Sequence, residues 1–367
     1  MVKLSRMMVF LLLLGGAACS ADRGEPNEAV YVFHGTSDAS AAVAVGEKMF
    51  IVADDENNVL RVYEIGVSSQ PVFSYDLRAL LGVVSTHPEA DIEGATTVDG
   101  RIYWISSHGR NRNGLMRSNR YRFFATTVKA EGPRIMILPV GKPYSRLIHD
   151  LVKAENLRGL DLDRATQFSA KKPEDKELEK LAPKRDGLNI EALCASPNGR
   201  TLYIGFRNPR PFHAGRAKAL VVPLKNADKV LEESQAPVFG EPILLDLAGL
   251  GIRSMEYSRV HKAYFIVAGA HDEQPLFALY RWSGEKNARA VLIRPLRTAR
   301  TRFAPEALVV FNNSERLWLI SDDGSLRVDV SDPAECMKNQ LLPGRKCRNK
   351  HLTSPARKTF RAMWLKP

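Results

Sequence analysis

Apolar residues in this chain gather in short runs that alternate with polar positions and break at turn-forming residues, and the layout returns five times. The five segments are SDASAAVAVGEKMFIVADDENN from Ser37, DIEGATTVDGRIYWISSHGRN from Asp91, NIEALCASPNGRTLYIGFRNP from Asn189, SMEYSRVHKAYFIVAGAHDE from Ser254 and PEALVVFNNSERLWLISDDGS from Pro305. Each holds an acid, an apolar run, a turn, a second apolar run and a polar cluster. A third run follows each unit (VLRVYEI, RYRFFATTV, KALVVPL, FALYRW, SLRVDV), and most show a fourth (PVFSYDL, PRIMILPV, EPILLDL, RAVLIRPL). The third segment is the plainest hairpin. Leu188, Ile190 and Leu193 precede the turn Ser196-Pro197-Asn198-Gly199-Arg200, and Leu202, Ile204 and Phe206 follow it.

Four short antiparallel strands per unit, repeated around an axis, describe a β-propeller. The repeated acids at 38, 93, 191, 256 and 306 are separated by 55, 98, 65 and 50 residues, and three of these spacings suit one blade. The long one contains a charge-rich, strand-poor stretch, read as a partly helical insertion at about 143–186. The fold class is therefore all-β, a propeller of five blades, or of six if a divergent blade lies in that stretch. The last unit lacks a fourth strand before its cysteines. Either RKTFRAMWL near the C-terminus or AVYVFHG near the start of the mature chain would complete it, closing the ring and removing open sheet edges.

A propeller gives the repeated acid an address, because the first strand of each blade is innermost. Asp38, Glu93, Glu191, Glu256 and Glu306 are expected to form a ring at one mouth of the axis. Two positions earlier stand Thr36, Asp91, Asn189, Ser254 and Ala304, polar in four of five cases and on the same side of a strand. A hairpin returns its chain to the end where it began, so residues 15 or 16 positions after the acids belong to the same mouth. These are Asp54, His108, Arg207, His271 and Asp322, all ionisable, followed by Asp55, Arg110, Asn208, Asp272 and Asp323. For any one of these residues a solvated strand end is the ordinary explanation. Recurrence in five units favours a shared central site.

Composition narrows the class. The 367 residues are 44% hydrophobic, enough for a sizeable core. Lys3 and Arg6 precede the apolar run Met7 to Leu14 and the small residues Gly15 to Ala18, which reads as a signal peptide over 1–21 with a single domain over 22–367. Cys19 directly after small residues resembles the lipid-modified cysteine of bacterial lipoproteins, although Gly16 stands where Leu is usual. The expected location is the periplasm or a lipid anchor in the bacterial envelope. Cys336 and Cys347 are close enough in sequence to close a loop by a disulfide in an oxidising compartment, while Cys194 reads as a buried core residue. The net charge of +12 is spread along the chain without a nucleic-acid-binding motif, so nucleic acid is not an expected partner. A monomer is expected.

Clustered carboxylates raise one another's pKa unless cations or donors compensate, and a hard divalent ion, Ca²⁺ in the first place, would do so. Protonated carboxyls, Arg207 or the histidines are competing solutions. No organic cofactor is expected. The segments SDASAAV, DIEGATT, GLNIEAL, RSMEY and APEAL resemble bacterial domain-of-unknown-function family 3616 over nearly the whole mature chain. The DxEG and NxEAL elements are more loosely similar to exported propellers described as having esterase-like activity of phytase. The closer resemblance implies a propeller and no particular reaction.

Two function classes follow. The first is a metal-assisted hydrolase of a phosphoester, lactone or other ester. Its acids would hold the ion, His108 or His271 would act as general base, and Arg110, Arg207 and Arg210, with Asn208, would hold a small anionic substrate. The second is a non-catalytic envelope module whose acid ring is a structural plug. No GxSxG element, P-loop or dinucleotide fingerprint anchors a serine hydrolase, NTPase or NAD enzyme.

Overall fold

The computed structural model describes residues 29–131, 134–168, 175–296 and 301–367. The expected signal peptide and Cys19 lie outside these residues. Five four-stranded antiparallel sheets form the five blades. The first blade is built from Ala39–Val45, Met49–Asp54, Val59–Glu64 and Phe73–Asp76. The second uses Ile92–Val98, Arg101–Ser106, Phe123–Glu131 and Arg134–Tyr144, and the third Asn189–Ala195, Leu202–Asn208, Ala219–Leu224 and Ile243–Leu245. Gly251–Ser258, Ala263–Gly269, Phe277–Trp282 and Val291–Leu296 make the fourth. The first strands touch in a closed cycle, each meeting that of the blade before and the blade after, so they form the inner ring.

The fifth blade settles how the ring closes. Its order is Pro305–Val310, Leu317–Ser321, Thr359–Leu365 and then Val30–His34, so both terminal segments are used and lie side by side. The run SLRVDV, expected as the third strand of this blade, is diverted. Arg327–Asp329 pairs with Lys346–Arg348 in a separate small hairpin. That hairpin belongs to a loop structure that includes the disulfide Cys336–Cys347.

Alternating side chains give each blade two apolar faces, and the described residues accordingly hold one apolar cluster between each neighbouring pair of blades, with a smaller one around the disulfide. Between the fifth and first blades, Phe33, Phe50, Tyr63, Trp318 and Phe360 interlock with ring centroids 5.2–6.1 Å apart. The stretch at 143–186 is partly helical, with helices Leu147–Lys153, Leu162–Thr166 and Asp175–Lys180. Leu147, Ile148, Leu151, Leu157 and Leu162 from this insertion complete the apolar cluster between the second and third blades. Insertion and blades thus share one core.

Candidate metal centre at the axial mouth

Every first strand carries a bulge at the same place. The pairing register skips one residue between Ala39 and Ala41, Ile92 and Gly94, Ile190 and Ala192, Ile252 and Ser254, and Pro305 and Ala307. A bulge leaves one residue out of the ladder and re-aims its side chain. The five equivalent residues are Ser40, Glu93, Glu191, Arg253 and Glu306. All are buried.

Three of the five expected acids, Glu93, Glu191 and Glu306, stand at the bulge, and in two blades another residue does. In the first blade Ser40 takes the position, and Asp38 falls two residues earlier, in line with Asp91 and Asn189. In the fourth blade the position belongs to Arg253, while Glu256 sits inside the ladder opposite Phe265. Burial holds the Glu256 carboxyl well above its usual range, against a weaker opposing effect of the Tyr257 backbone. The physical reason for the displacement is the place of the bulge, four or five residues before the end of every first strand, whereas Asp38 stands seven residues before Val45 and Glu256 only two before Ser258. A signal for the true position is present in the sequence: in all five strands the bulged residue follows an apolar, alanine or proline residue and precedes a small one (Ala41, Gly94, Ala192, Ser254, Ala307).

Arg253 organises one side of the mouth. Its Nε lies 3.0 Å from Glu191 Oε2, its Nη1 donates to Glu191 Oε1 at 3.3 Å, and its Nη2 pairs with Glu306. Arg207 adds a second donor to Glu191 Oε1 at 2.9 Å. Asn189 Nδ2 donates to the same oxygen at 2.5 Å. Burial and the field of Glu191 push the Glu306 carboxyl up to about 7, although Arg253 opposes this. Glu191, a lone charge on a hairpin when seen in the sequence, is the most heavily neutralised acid of the ring.

The opposite side lacks such neutralisation. Asp55, Asp91 and Glu93 offer carboxylate oxygens within 4.8 Å of one another, and so do Asp38, Asp55 and Glu56. Glu93 is nine-tenths buried and makes no hydrogen bond or ion pair among the described residues. Burial, followed by the fields of Asp91, Glu191 and Glu306, holds its carboxyl well above the ordinary range. Asp55 is raised well above that range by burial and then by Asp38, Glu93, Asp322 and Asp54, and its Oδ1 is shielded from solvent without a hydrogen-bond partner. Asp38 is pushed up to about 7 by burial and Asp54, with its Oδ2 accepting from Ser37 Oγ at 2.6 Å. Basic side chains that form ion pairs on this side include Arg120, paired with Asp91 at 3.0 Å and with Glu89, and Lys350, paired with Glu56.

The expected second ring separates into different roles. Asp322, raised to about 6 by burial and then Asp38, stays at the mouth. Asp54, also raised to about 6 by burial, holds the following turn by accepting from the backbone of Glu56 at 2.8 Å and Asn57 at 3.0 Å. Its neighbour Asp55 is the one that meets the other acids. His108 turns away: its Nδ1 faces Ser106 O at 2.8 Å, and its ring packs on Tyr121 in a tight pocket with Arg110, Thr166, Phe168 and Leu188. Burial lowers its pKa to about 4, so the imidazole is neutral. His271 lies in the loop after the second strand of the fourth blade, its pKa lowered by burial and then by Arg210.

The three arginines expected to clamp an anion are fastened to backbone carbonyls. Arg110 donates to Gly114 O at 3.0 Å and Thr166 O at 2.8 Å. Arg207 reaches Ala270 O at 2.9 Å and Asp272 O at 2.5 Å besides Glu191. Arg210 binds Gly249 O and faces Asn208 Oδ1 at 3.4 Å, and Asn208 Nδ2 donates to Arg185 O at 2.5 Å. These four residues knit loops together around the mouth. The groups that sequence spacing passed over, Arg253 and Lys350, supply charge at the mouth itself.

Among solved structures the chain is similar to hydrazine synthase from Kuenenia stuttgartiensis, with 7% identity and a TM-score of 0.35 over 81% of this chain and 57% of that one. It therefore spans less than two thirds of that protein. It is also similar to a Thermus thermophilus protein assigned provisionally as an oxidoreductase (glucose dehydrogenase), with 11% identity and a TM-score of 0.40 over 92% of this chain and all of that one. Neither likeness bears on activity. No curated protein matches the chain. One family model does, from Asp38 at the mouth of the first blade to Asp322 at the mouth of the fifth, and the chain belongs to that family, described as protein of unknown function (DUF3616).

Proposed function

We propose that the propeller is a hydrolase that binds a hard divalent cation at the side of the mouth formed by the first two blades. The single observation that carries this reading is the group Asp55, Asp91 and Glu93, whose oxygens converge within 4.8 Å while Glu93, nine-tenths buried, has no partner among the described residues. Oxygen donors at this density suit Ca²⁺ or Mg²⁺ better than softer metals. A cation held there polarises a carbonyl or phosphoryl oxygen and acidifies a bound water. This chain's own residues position the ligands: Ser107 holds Asp91, Ser37 holds Asp38, and Gly324 leaves room for the Asp38 carboxylate. Neutral His108 is turned from the acids by its contact with Ser106 O and is not at hand as the base, so proton removal falls to a carboxylate at the mouth. The substrate is a small ester or phosphoester, and the protein acts after export, in the periplasm or on a lipid anchor at Cys19.

A specific observation favours a second reading. Arg253 fills the other half of the mouth with ion pairs to Glu191 and Glu306, as a structural plug would. In that reading the cation stiffens the ring and the propeller is a binding module. Calorimetric titration of purified mature protein with Ca²⁺ and Mg²⁺, followed by a panel of ester, lactone and phosphoester substrates with each ion, separates the readings. Ion binding with turnover supports the hydrolase, ion binding without turnover supports the module, and no ion binding sinks both.

A further inference from the structure

Asp55 belongs to both carboxylate groups of the mouth. With Asp91 and Glu93 it forms one, with Asp38 and Glu56 the other, each within 4.8 Å. A single shared carboxylate between two oxygen-rich groups is the arrangement of a bridging ligand, since its two oxygens can each face a different ion. Asp55 Oδ1 is shielded from solvent and has no hydrogen-bond partner among the described residues. Glu93 is likewise without a partner among them. Charge argues in the same direction. Five carboxylates converge here, and their basic partners are Lys350, bound to Glu56, and Arg120, which Asp91 shares with Glu89. With all five ionised, as cation binding requires, one divalent ion leaves net negative charge at the mouth, and Asp322 adds to the same field.

Resting on the cation-binding reading above, we infer that the mouth is a two-cation centre in which Asp55 bridges an ion held by Asp91 and Glu93 to a second held by Asp38 and Glu56. The two positions are unequal. In the first, Arg120 is divided between Asp91 and Glu89 and Glu93 has no partner among the described residues, so it fills at lower concentration. The second competes with Lys350, which pairs with Glu56 and feels Asp38 and Asp55, so it fills only as Lys350 yields Glu56. Paired hard cations about 4 Å apart grip two oxygens of one tetrahedral anion, which makes a phosphate ester the substrate class that fits, ahead of a lactone or carboxylic ester.

The test is titration of the purified mature protein with Mn²⁺, read by calorimetry and by electron paramagnetic resonance. Two binding events with an exchange-coupled spectrum at saturation are expected. Lys350→Gln should tighten the weaker event by about tenfold and leave the tighter one unchanged, because only the second position loses its competitor. Asp55→Asn should weaken both events and abolish coupling. A single equivalent of uncoupled Mn²⁺ overturns the bridged pair while leaving the one-ion reading standing, whereas no binding at all removes that reading too. Should Asp55→Asn fail to fold, the Lys350→Gln titration decides: a second event that is absent or unmoved overturns the proposal.

Discussion

Arg253, from the fourth blade, stands between Glu191 of the third and Glu306 of the fifth and pairs with both, with Nε 3.0 Å from Glu191 Oε2. Three neighbouring blades are thereby joined across the inner ring by one side chain, all three groups being at least nine-tenths buried.

Removing that cation leaves buried Glu306 without its charge partner and Glu191 with Arg207 alone. Arg253→Met should therefore cost about 3–5 kcal/mol of stability, the range for breaking a buried ion pair from one side. Adding Glu191→Gln and Glu306→Gln to it should recover part of the loss. Urea unfolding of the single and triple variants checks both, and a triple variant no more stable than Arg253→Met would contradict the ion-pair account.

The raised carboxyls make a statement about pH. Asp38 and Glu306 at about 7, and Asp54 and Asp322 at about 6, hold protons in the folded state that an unfolded chain releases near pH 4. Their contribution is complete below pH 4 and is lost as pH rises through 6 to 7, so metal-free protein should lose stability across that window. A bound cation takes the place of the protons. Thermal unfolding at pH 5 and pH 8, with EDTA or with Ca²⁺, should show the largest Ca²⁺ stabilisation at pH 8; a larger effect at pH 5 would reverse the argument.

Glu93 and Glu256 occupy equivalent places by sequence spacing and different places in the ring. Glu93→Gln should weaken Ca²⁺ binding by at least about tenfold, or about 1.4 kcal/mol, while Glu256→Gln should change it by less than about twofold. Equal losses in calorimetry would restore the ring of five acids and displace the bulge-based one.

Gly324 lies directly against the Asp38 carboxylate, and an added Cβ would collide with it. Gly324→Ala should turn Asp38 aside and weaken the cation site it serves without touching a charge. A calorimetric titration indistinguishable from that of the parent protein would show that Asp38 contributes no ligand.

Phe33 stacks on Phe360 at 5.3 Å and is 3% exposed. Phe33→Ala should cost about 3–5 kcal/mol, the usual loss for a buried aromatic ring. Equilibrium unfolding gives the number, and a loss below about 1 kcal/mol would mean the terminal strand is not part of the cooperative core.

Much of this fold was legible because hairpins announce themselves. Pro197-Asn198-Gly199 and Asp99-Gly100 mark turns between apolar runs, and the helical insertion betrayed itself by charge. Both segments named for closure, AVYVFHG and RKTFRAMWL, are in the fifth sheet. The site was less legible because a bulge is a one-residue event. Counting from acid to acid assumes that an acid always occupies the bulge, and in the fourth blade the bulge holds Arg253 while the acid, Glu256, lies three residues later. The separate hairpin of Arg327–Asp329 with Lys346–Arg348 was hidden for another reason: its strands are three residues each, too short for any periodicity to show.

The pairing of Val30–His34 with Thr359–Leu365 also sets a timetable. Val30–His34 has no neighbour in its own sheet until Thr359–Leu365 is present, so while the residues between them are made its backbone donors and acceptors wait as an open edge. Four blades can form as local units while the fifth cannot. A chain interrupted anywhere before residue 359 therefore keeps an open edge on Val30–His34, and closure of the ring reports that Thr359–Leu365 has been made.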